Sequence, residues 1–361
     1  MLSFTRVNGR LFELEAFRGL AAIYVVLHHT LKDAAAAVHP LLGTALSFGQ
    51  EAVVIFFVLS GFVVHYSTVS ASSPSWRRYA WARFLRIEPI YLLALVAAFA
   101  ARSVALGSVV AIDGWQLLGN LAFLQDLDRP GTIVTPFSDN LPLWSLSYEI
   151  FFYVAYPLVV RYVSEDVRHR VVGGVSVLSL VLLVLFPNQL FRWIGYFIIW
   201  WTGVVLADCY AGRASYRRLA ETILALAVGA FIWVGVAVLG HYPVNGTTLG
   251  VYPILEARHF VAAIAFTGLV TLWSLANWVG FRWTIGPFAI LAPISYGIYL
   301  LHFPIMNTIS ARTEWLGLVQ WPVMFCVTLA LAWLSERRLQ PWIRESSRSW
   351  RSRSRKMQDG R

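Results

Sequence analysis

The chain has 361 residues, of which 58% are hydrophobic, 15% aromatic and only 13% charged, with a mean hydropathy of +0.62. A soluble domain carries about 45–50% apolar and about 25% charged residues, so a water-soluble enzyme is excluded and a lipid bilayer must supply much of the solvent. The net charge of +10 excludes nothing until it is placed, because its distribution separates nucleic-acid binding from membrane topology.

Crossing a bilayer takes about 20 mostly apolar residues. The sequence predicts an all-α polytopic membrane bundle of ten such spans, at 13–33, 50–70, 88–108, 143–163, 171–187, 191–209, 219–240, 256–277, 286–307 and 317–337. The stretch from Trp115 to Asp126 is amphipathic and reads as a re-entrant or interfacial piece. Ten spans put both termini on one side. With the N-terminus inside, 22 basic residues fall on inner segments and six on outer ones, so both termini are expected in the cytoplasm. The charge is thereby assigned to topology, and no nucleic-acid partner is expected. Residues 1–340 form the membrane domain, and 341–361, basic and Ser-rich, read as a disordered cytoplasmic tail that touches anionic head groups.

Only Cys209 and Cys326 occur, without metal-type spacing, so neither a disulfide scaffold nor a metal site is expected. The run Gly19–Leu27 followed by Ala34–Ala37 has the look of a signal peptide. A retained first helix is preferred, because cleavage would discard Arg18 and His29.

Ionisable residues inside spans are costly and point to function. Arg18 and His29 share a face of the first helix, since eleven steps come to within about 20° of three full turns and rise about 16 Å. His28 points about 100° away. Glu149, in WSLSYE, sits about 9 Å below the outer face. His29 lies about 24 Å above the inner face, and His302, in ISYGIYLLHFP, reaches the same outer third of a core about 30 Å thick. His65, near the inner end of the second span, reads as a structural histidine. Arg83 and Arg86, three apart in RRYAWARFLRIEPIY, make either a guanidinium clamp for phosphate or a positive-inside signal. Arg77 and Arg78 read as topology signals.

Together FRGLAAIYVVLHH from Phe17, FFVLSGF from Phe56, RFLRIEPIY from Arg83, LWSLSYEIFFYVAYP from Leu143 and ISYGIYLLHFPI from Ile294 resemble the acyltransferase-3 family of integral membrane O-acyltransferases. The resemblance covers about residues 12 to 340. It departs at Tyr148 and Ile150, which flank Glu149 where polar or acidic residues are frequent, and at Val54 before FFVLSGF. Relatives with a C-terminal SGNH hydrolase-like domain are longer, and too few residues follow 340 to hold one.

The resemblance implies transfer of an acyl group, acetyl above all, from acyl-CoA to a hydroxyl of a cell-surface or exported carbohydrate or its lipid-linked precursor. It places the chain in the bacterial cytoplasmic membrane. Its motifs put catalytic roles on His29, Glu149 and Arg18, with Glu149 orienting the His29 imidazole, and donor binding on Arg83 and Arg86. Acetyl-CoA is then the acyl-donor substrate and no metal takes part. His302, Tyr299, Trp144 and Ser147 are candidate substrate contacts. The loops Gly107–Pro142 and His241–Pro253 are candidates for reading the acceptor. A secondary transporter or flippase, with His29, Glu149 and His302 as a proton relay, is the competing expectation.

Overall fold

The structure, a computed structural model, describes residues 2–71, 75–240, 252–312, 317 and 319–347. Most of the expected tail and most of the loop His241–Pro253 therefore lie outside the described residues, and the first seven residues of that tail, 341–347, are helical rather than disordered.

A two-stranded hairpin opens the chain, β1 (Arg6–Val7) pairing antiparallel with β2 (Arg10–Leu11). Asn8 and Gly9 between them have φ of 50° and 75°, the left-handed geometry that a two-residue hairpin turn needs. The helices α1 (Phe12–Val38), α2 (Pro40–Ala45), α3 (Gly49–Val69) and α4 (Trp76–Leu106) follow. Ser75 caps α4 by accepting from Arg78 N, and α4 ends at Gly107 with φ 68°. The short α5 (Gly114–Leu121) is capped by Asp113. Two 3-10 turns lead into α6 (Trp144–Tyr162), and α7 (Arg168–Leu185), α8 (Gln189–Tyr210), α9 (Tyr216–Val238) and α10 (Ile254–Leu275) come next. After α11 (Phe281–Thr284), a 3-10 segment Gly286–Ile294 runs into α12 (Ser295–Arg312), and α13 (Gln320–Leu334) continues through a π-helical turn, Ser335–Leu339.

Among the described residues, eight helical segments are long and apolar enough to cross a membrane, and they coincide with the second to ninth expected spans. The span expected at 13–33 is also helical, as is the one expected at 317–337 from Gln320 on. However, α1 carries Glu13, Glu15, Arg18, Lys32 and Asp33, and α13 has only 15 residues in α geometry. The ninth span differs from a plain α-helix, because its first nine residues, with Pro287 and Pro293 among them, are wound as 3-10, which rises about 2 Å per residue.

The termini of the long helices gather at two ends. Ser3 N donates to Ser274 Oγ near the end of α10, and Phe4 packs on Tyr210 at the end of α8. Arg218 pairs with Asp166 between α9 and the α6–α7 turn. This is the basic end. At the opposite end Arg129, Arg192 and Arg258 pair with Glu256, Asp126 and Glu51 at 2.5, 3.1 and 2.6 Å. Arg102 there pairs with Asp139.

The segment from 122 to 143 dips into the bundle at this opposite end: Gln125 and Asp126 are fully buried, and Asn140 is 1% exposed. Tyr148 donates to Asp126, and Gln125 donates to Leu143 O. The amphipathic Trp115–Asp126 stretch is thus a short helix followed by a polar loop whose hydrogen bonds are made inside the protein, as irregular backbone at depth requires.

Two features fix the helices around the site. At the α3–α8 crossing, a Cβ on Gly61 would lie 1.9 Å from Trp200 O, and one on Gly203 1.9 Å from Val58 O, so only glycine permits this approach. Three helices also contain an internal proline, Pro89 in α4, Pro157 in α6 and Pro304 in α12. Each removes the N–H that would bond the carbonyl four residues earlier, and a side chain from elsewhere replaces it. Gln340 Nε2 donates to Leu85 O at 3.3 Å and to Arg86 O at 2.8 Å. Tyr79 OH donates to Tyr153 O at 3.1 Å, and Asn140 Nδ2 to Leu300 O at 3.3 Å.

Candidate active site

Arg18, Arg83, Arg86 and Glu149 line one cavity of about 160 Å³, between α1, α3, α4, α6 and the start of α12. Their attachments differ. Arg86 is bound at 2.7 Å to Glu336, whose side chain is 1% exposed, and lies over the Tyr296 ring. Glu336 also accepts from Gly297 N, an orphan donor in the first turn of α12. Arg18 donates to Ser295 Oγ at 3.2 Å and pairs with Glu15 at 3.3 Å, one turn back. Arg83 packs its guanidinium over Tyr79 and Tyr153, each 5.7 Å away, and its Nε is buried without a hydrogen-bond partner.

Glu149 Oε1 accepts from Ser60 Oγ at 3.0 Å and from Tyr153 OH. Ser60 in turn accepts from Trp200 Nε1 at 3.2 Å, across the glycine crossing. Tyr299 lines the same cavity and donates to Pro142 O. Three guanidiniums and one carboxylate stand on its wall, an arrangement chemically suited to holding an anion.

The second group is a histidine pair. The His29 and His302 ring centroids lie 5.3 Å apart, and Phe303 packs edge-on against His29 at 5.2 Å. His302 is 1% exposed. Its Nδ1 lies 3.1 and 2.8 Å from the carbonyl oxygens of Ile298 and Tyr299. A carbonyl can only accept, so Nδ1 carries the proton, and in the neutral ring Nε2 is a bare lone pair. That Nε2 is buried without a partner. His302 packs beside His29 and does not line the arginine cavity. His28 turns aside and bonds Leu46 O at 2.6 Å.

The expectation that Glu149 and His29 share a depth does not hold. His28 sits beside Gly49, the first residue of α3, where an added Cβ would strike its ring. Glu149 bonds Ser60, eleven residues further along α3, which is about 16 Å at 1.5 Å per residue. The cause is the start of α6: it grows from a buried turn, with Pro142 and Leu143 inside the protein, not from the membrane face. Glu149 is thereby drawn to the level of Arg18, and its carboxylate orients Tyr153 and Ser60 instead of the His29 imidazole.

Of the other expected substrate contacts, Trp144 and Ser147 line neither this cavity nor the one described further below. Trp144 stacks on His259 and carries Arg129 over its ring, and Ser147 bonds back to Trp144 O. His65 is structural as expected, held by Tyr156 at 2.8 Å and Asp208 at 2.9 Å. Sequence reasoning missed Glu336, Ser60 and Tyr153. Tyr153 was within reach, four residues after Glu149 on one helix face. Glu336 carries only a faint signal, a lone acid beside Arg337 and Arg338.

Residues 11–337 match the family described as acyltransferase domain. The chain is similar to acyltransferase MdmB of Streptomyces mycarofaciens, 27% identical over 323 residues that cover 82% of this chain and 79% of that protein. No solved structure matches. The arginine-lined cavity and the histidine pair thus lie within the matched residues, and the chain belongs to the acyltransferase family of integral membrane enzymes.

Proposed function

We propose that the protein moves an acyl group, acetyl in the first instance, from acyl-CoA to a hydroxyl of a cell-surface or exported carbohydrate or its lipid-linked precursor. It does so in the bacterial cytoplasmic membrane with its basic end toward the cytoplasm. The observation that carries this is the pairing of an arginine-lined cavity with a histidine pair about 16 Å further along the same face of α1. An acyl-CoA is an anion at one end and a thioester at the other, and this arrangement suits both.

Arg83, whose guanidinium is held by two tyrosine rings, meets the donor phosphates, with Arg18 and Arg86 completing the positive wall. The acyl-bearing arm extends along α1 toward His29. There His29 takes the proton of the acceptor hydroxyl as its oxygen attacks the thioester carbonyl. The new C–O bond forms, the C–S bond breaks, and the proton passes to the leaving thiolate, so that CoA departs as the free thiol. His302, whose unprotonated Nε2 has no partner in the structure, is placed to take up the N–H of His29 as the imidazole turns its other nitrogen to the hydroxyl. Glu149 is a positioning residue of the donor cavity. The transporter alternative loses its relay, since Glu149 is bonded at a different depth from the two histidines.

Purified protein in lipid vesicles, given radiolabelled acetyl-CoA and glycan extracted from cells that lack the protein, should label the glycan. Unlabelled glycan with intact, folded protein overturns the assignment. A stable acetyl adduct on His29, formed without acceptor, overturns direct transfer.

A further inference from the structure

A second cavity, of about 490 Å³, lies at the opposite end of the bundle between α4, α12 and the turn Ser138–Asn140. Phe303 belongs to its wall and is also the ring packed edge-on against His29. On α12, Tyr299 faces the arginine cavity and Phe303, one turn later, faces this one. Along α12 the histidine pair therefore lies between the residues that line the two spaces, with Phe303 shared between the pair and the second cavity. The volume falls in the range of about 300–1,000 Å³ usual for small-molecule sites.

Three observations indicate what it takes. Asn140 is 1% exposed, and its Oδ1 is buried without a hydrogen-bond partner while its Nδ2 holds Leu300 O; such an orphan is costly unless a ligand donates to it. Ser138 and Asp139, at the rim, both have positive φ, 49° and 58°, a strained pair of the kind retained where a loop shapes a site. The charged groups on the wall, Arg102 and Asp139, neutralise each other. What remains is amide and hydroxyl from Ser138, Asn140, Asn307 and Ser310, facing the apolar side chains of α4. That division matches the hydroxyl-bearing edge and apolar face of a sugar ring.

Resting on the acyl-transfer reading above, we infer that this cavity binds the acceptor. It takes an uncharged polyhydroxylated ligand of carbohydrate type, with Asn140 and Asn307 as its hydrogen-bonding contacts and Phe303 as the partition that must turn aside for a hydroxyl to reach His29. Donor and acceptor thus enter from opposite ends.

The test uses membranes of cells deleted for the protein and complemented with the full-length chain, supplied with radiolabelled acetyl-CoA, with label counted in the carbohydrate fraction. Ser310→Trp blocks an exposed position at the mouth, and Asn307→Leu removes an amide at nearly constant volume. Each should lower transfer at least tenfold while acetyl-CoA binding by the purified variant stays within twofold of wild type; Asn307→Gln should recover part of the loss. Transfer within twofold of wild type in both variants overturns the acceptor assignment alone. Wild-type membranes that bind no acetyl-CoA and transfer no label overturn the acyl-transfer reading itself, and this assignment with it.

Discussion

The ring of His29 lies 5.3 Å from that of His302, whose Nδ1 is committed to the carbonyls of Ile298 and Tyr299. One ring is fixed in a single tautomer by its own helix, and the other packs beside it. His29→Ala should lower kcat by about 10²–10⁴-fold, the usual contribution of a general base. His302→Phe should lower kcat at least tenfold with the KM for acyl-CoA unchanged, and His302→Gln should displace the pH profile of kcat. A profile identical to wild type in His302→Gln removes His302 from the chemistry.

Glu149 gives the complementary result. Its bonds run to Ser60 and Tyr153 on the arginine cavity, so Glu149→Gln should change the KM for acyl-CoA and leave the shape of the pH profile intact. A displaced profile would restore Glu149 to the imidazole.

The two arginines of the RxxR element should behave differently. Arg83 has no carboxylate among its described contacts, so Arg83→Ala should raise the donor KM about 10- to 100-fold, the worth of a charge-assisted hydrogen bond, with little change in melting temperature. Arg86→Ala leaves the buried Glu336 without its cation and should lower stability by roughly 3 kcal/mol. Adding Glu336→Gln should recover most of that loss, read by thermal unfolding in detergent, while the donor KM stays high.

Gln340→Leu removes the side-chain donor from Leu85 O, the carbonyl that Pro89 leaves unpaired, and should cost about 1–3 kcal/mol. Combining it with Pro89→Ala returns an N–H to Leu85 O from within the helix. The double variant should therefore melt above Gln340→Leu alone; equal melting temperatures would show that the side-chain bond is not what compensates the proline.

Much of this arrangement could be read in the sequence because it depends on helix geometry alone. The shared face of Arg18 and His29 follows from their spacing, and the common helix of Arg83 and Arg86 from theirs. The missed parts depend on partners far away in the chain. Glu149 was placed too shallow because hydropathy locates an apolar run but not the depth at which its helix starts, and α6 starts from a buried turn. Glu336 and Asn140 act through groups some 160 to 250 residues away, beyond the reach of any local pattern. The 3-10 winding before Ser295 escaped because its apolar run, read at 3.6 residues per turn, is indistinguishable from an ordinary span.

The charge asymmetry of the chain takes on a kinetic meaning once the arginines of the opposite end are seen in place. Arg129, Arg192 and Arg258 are buried against carboxylates and Arg102 is paired with Asp139 at the surface, so all four are neutralised and project little field. Long-range attraction for anions then belongs to one face of the molecule only. Added salt should slow capture of the polyanionic donor, as screening shortens the reach of that face to about 8 Å at physiological ionic strength, and leave capture of an uncharged acceptor untouched. Ionic strength alone would thus distinguish the two doorways.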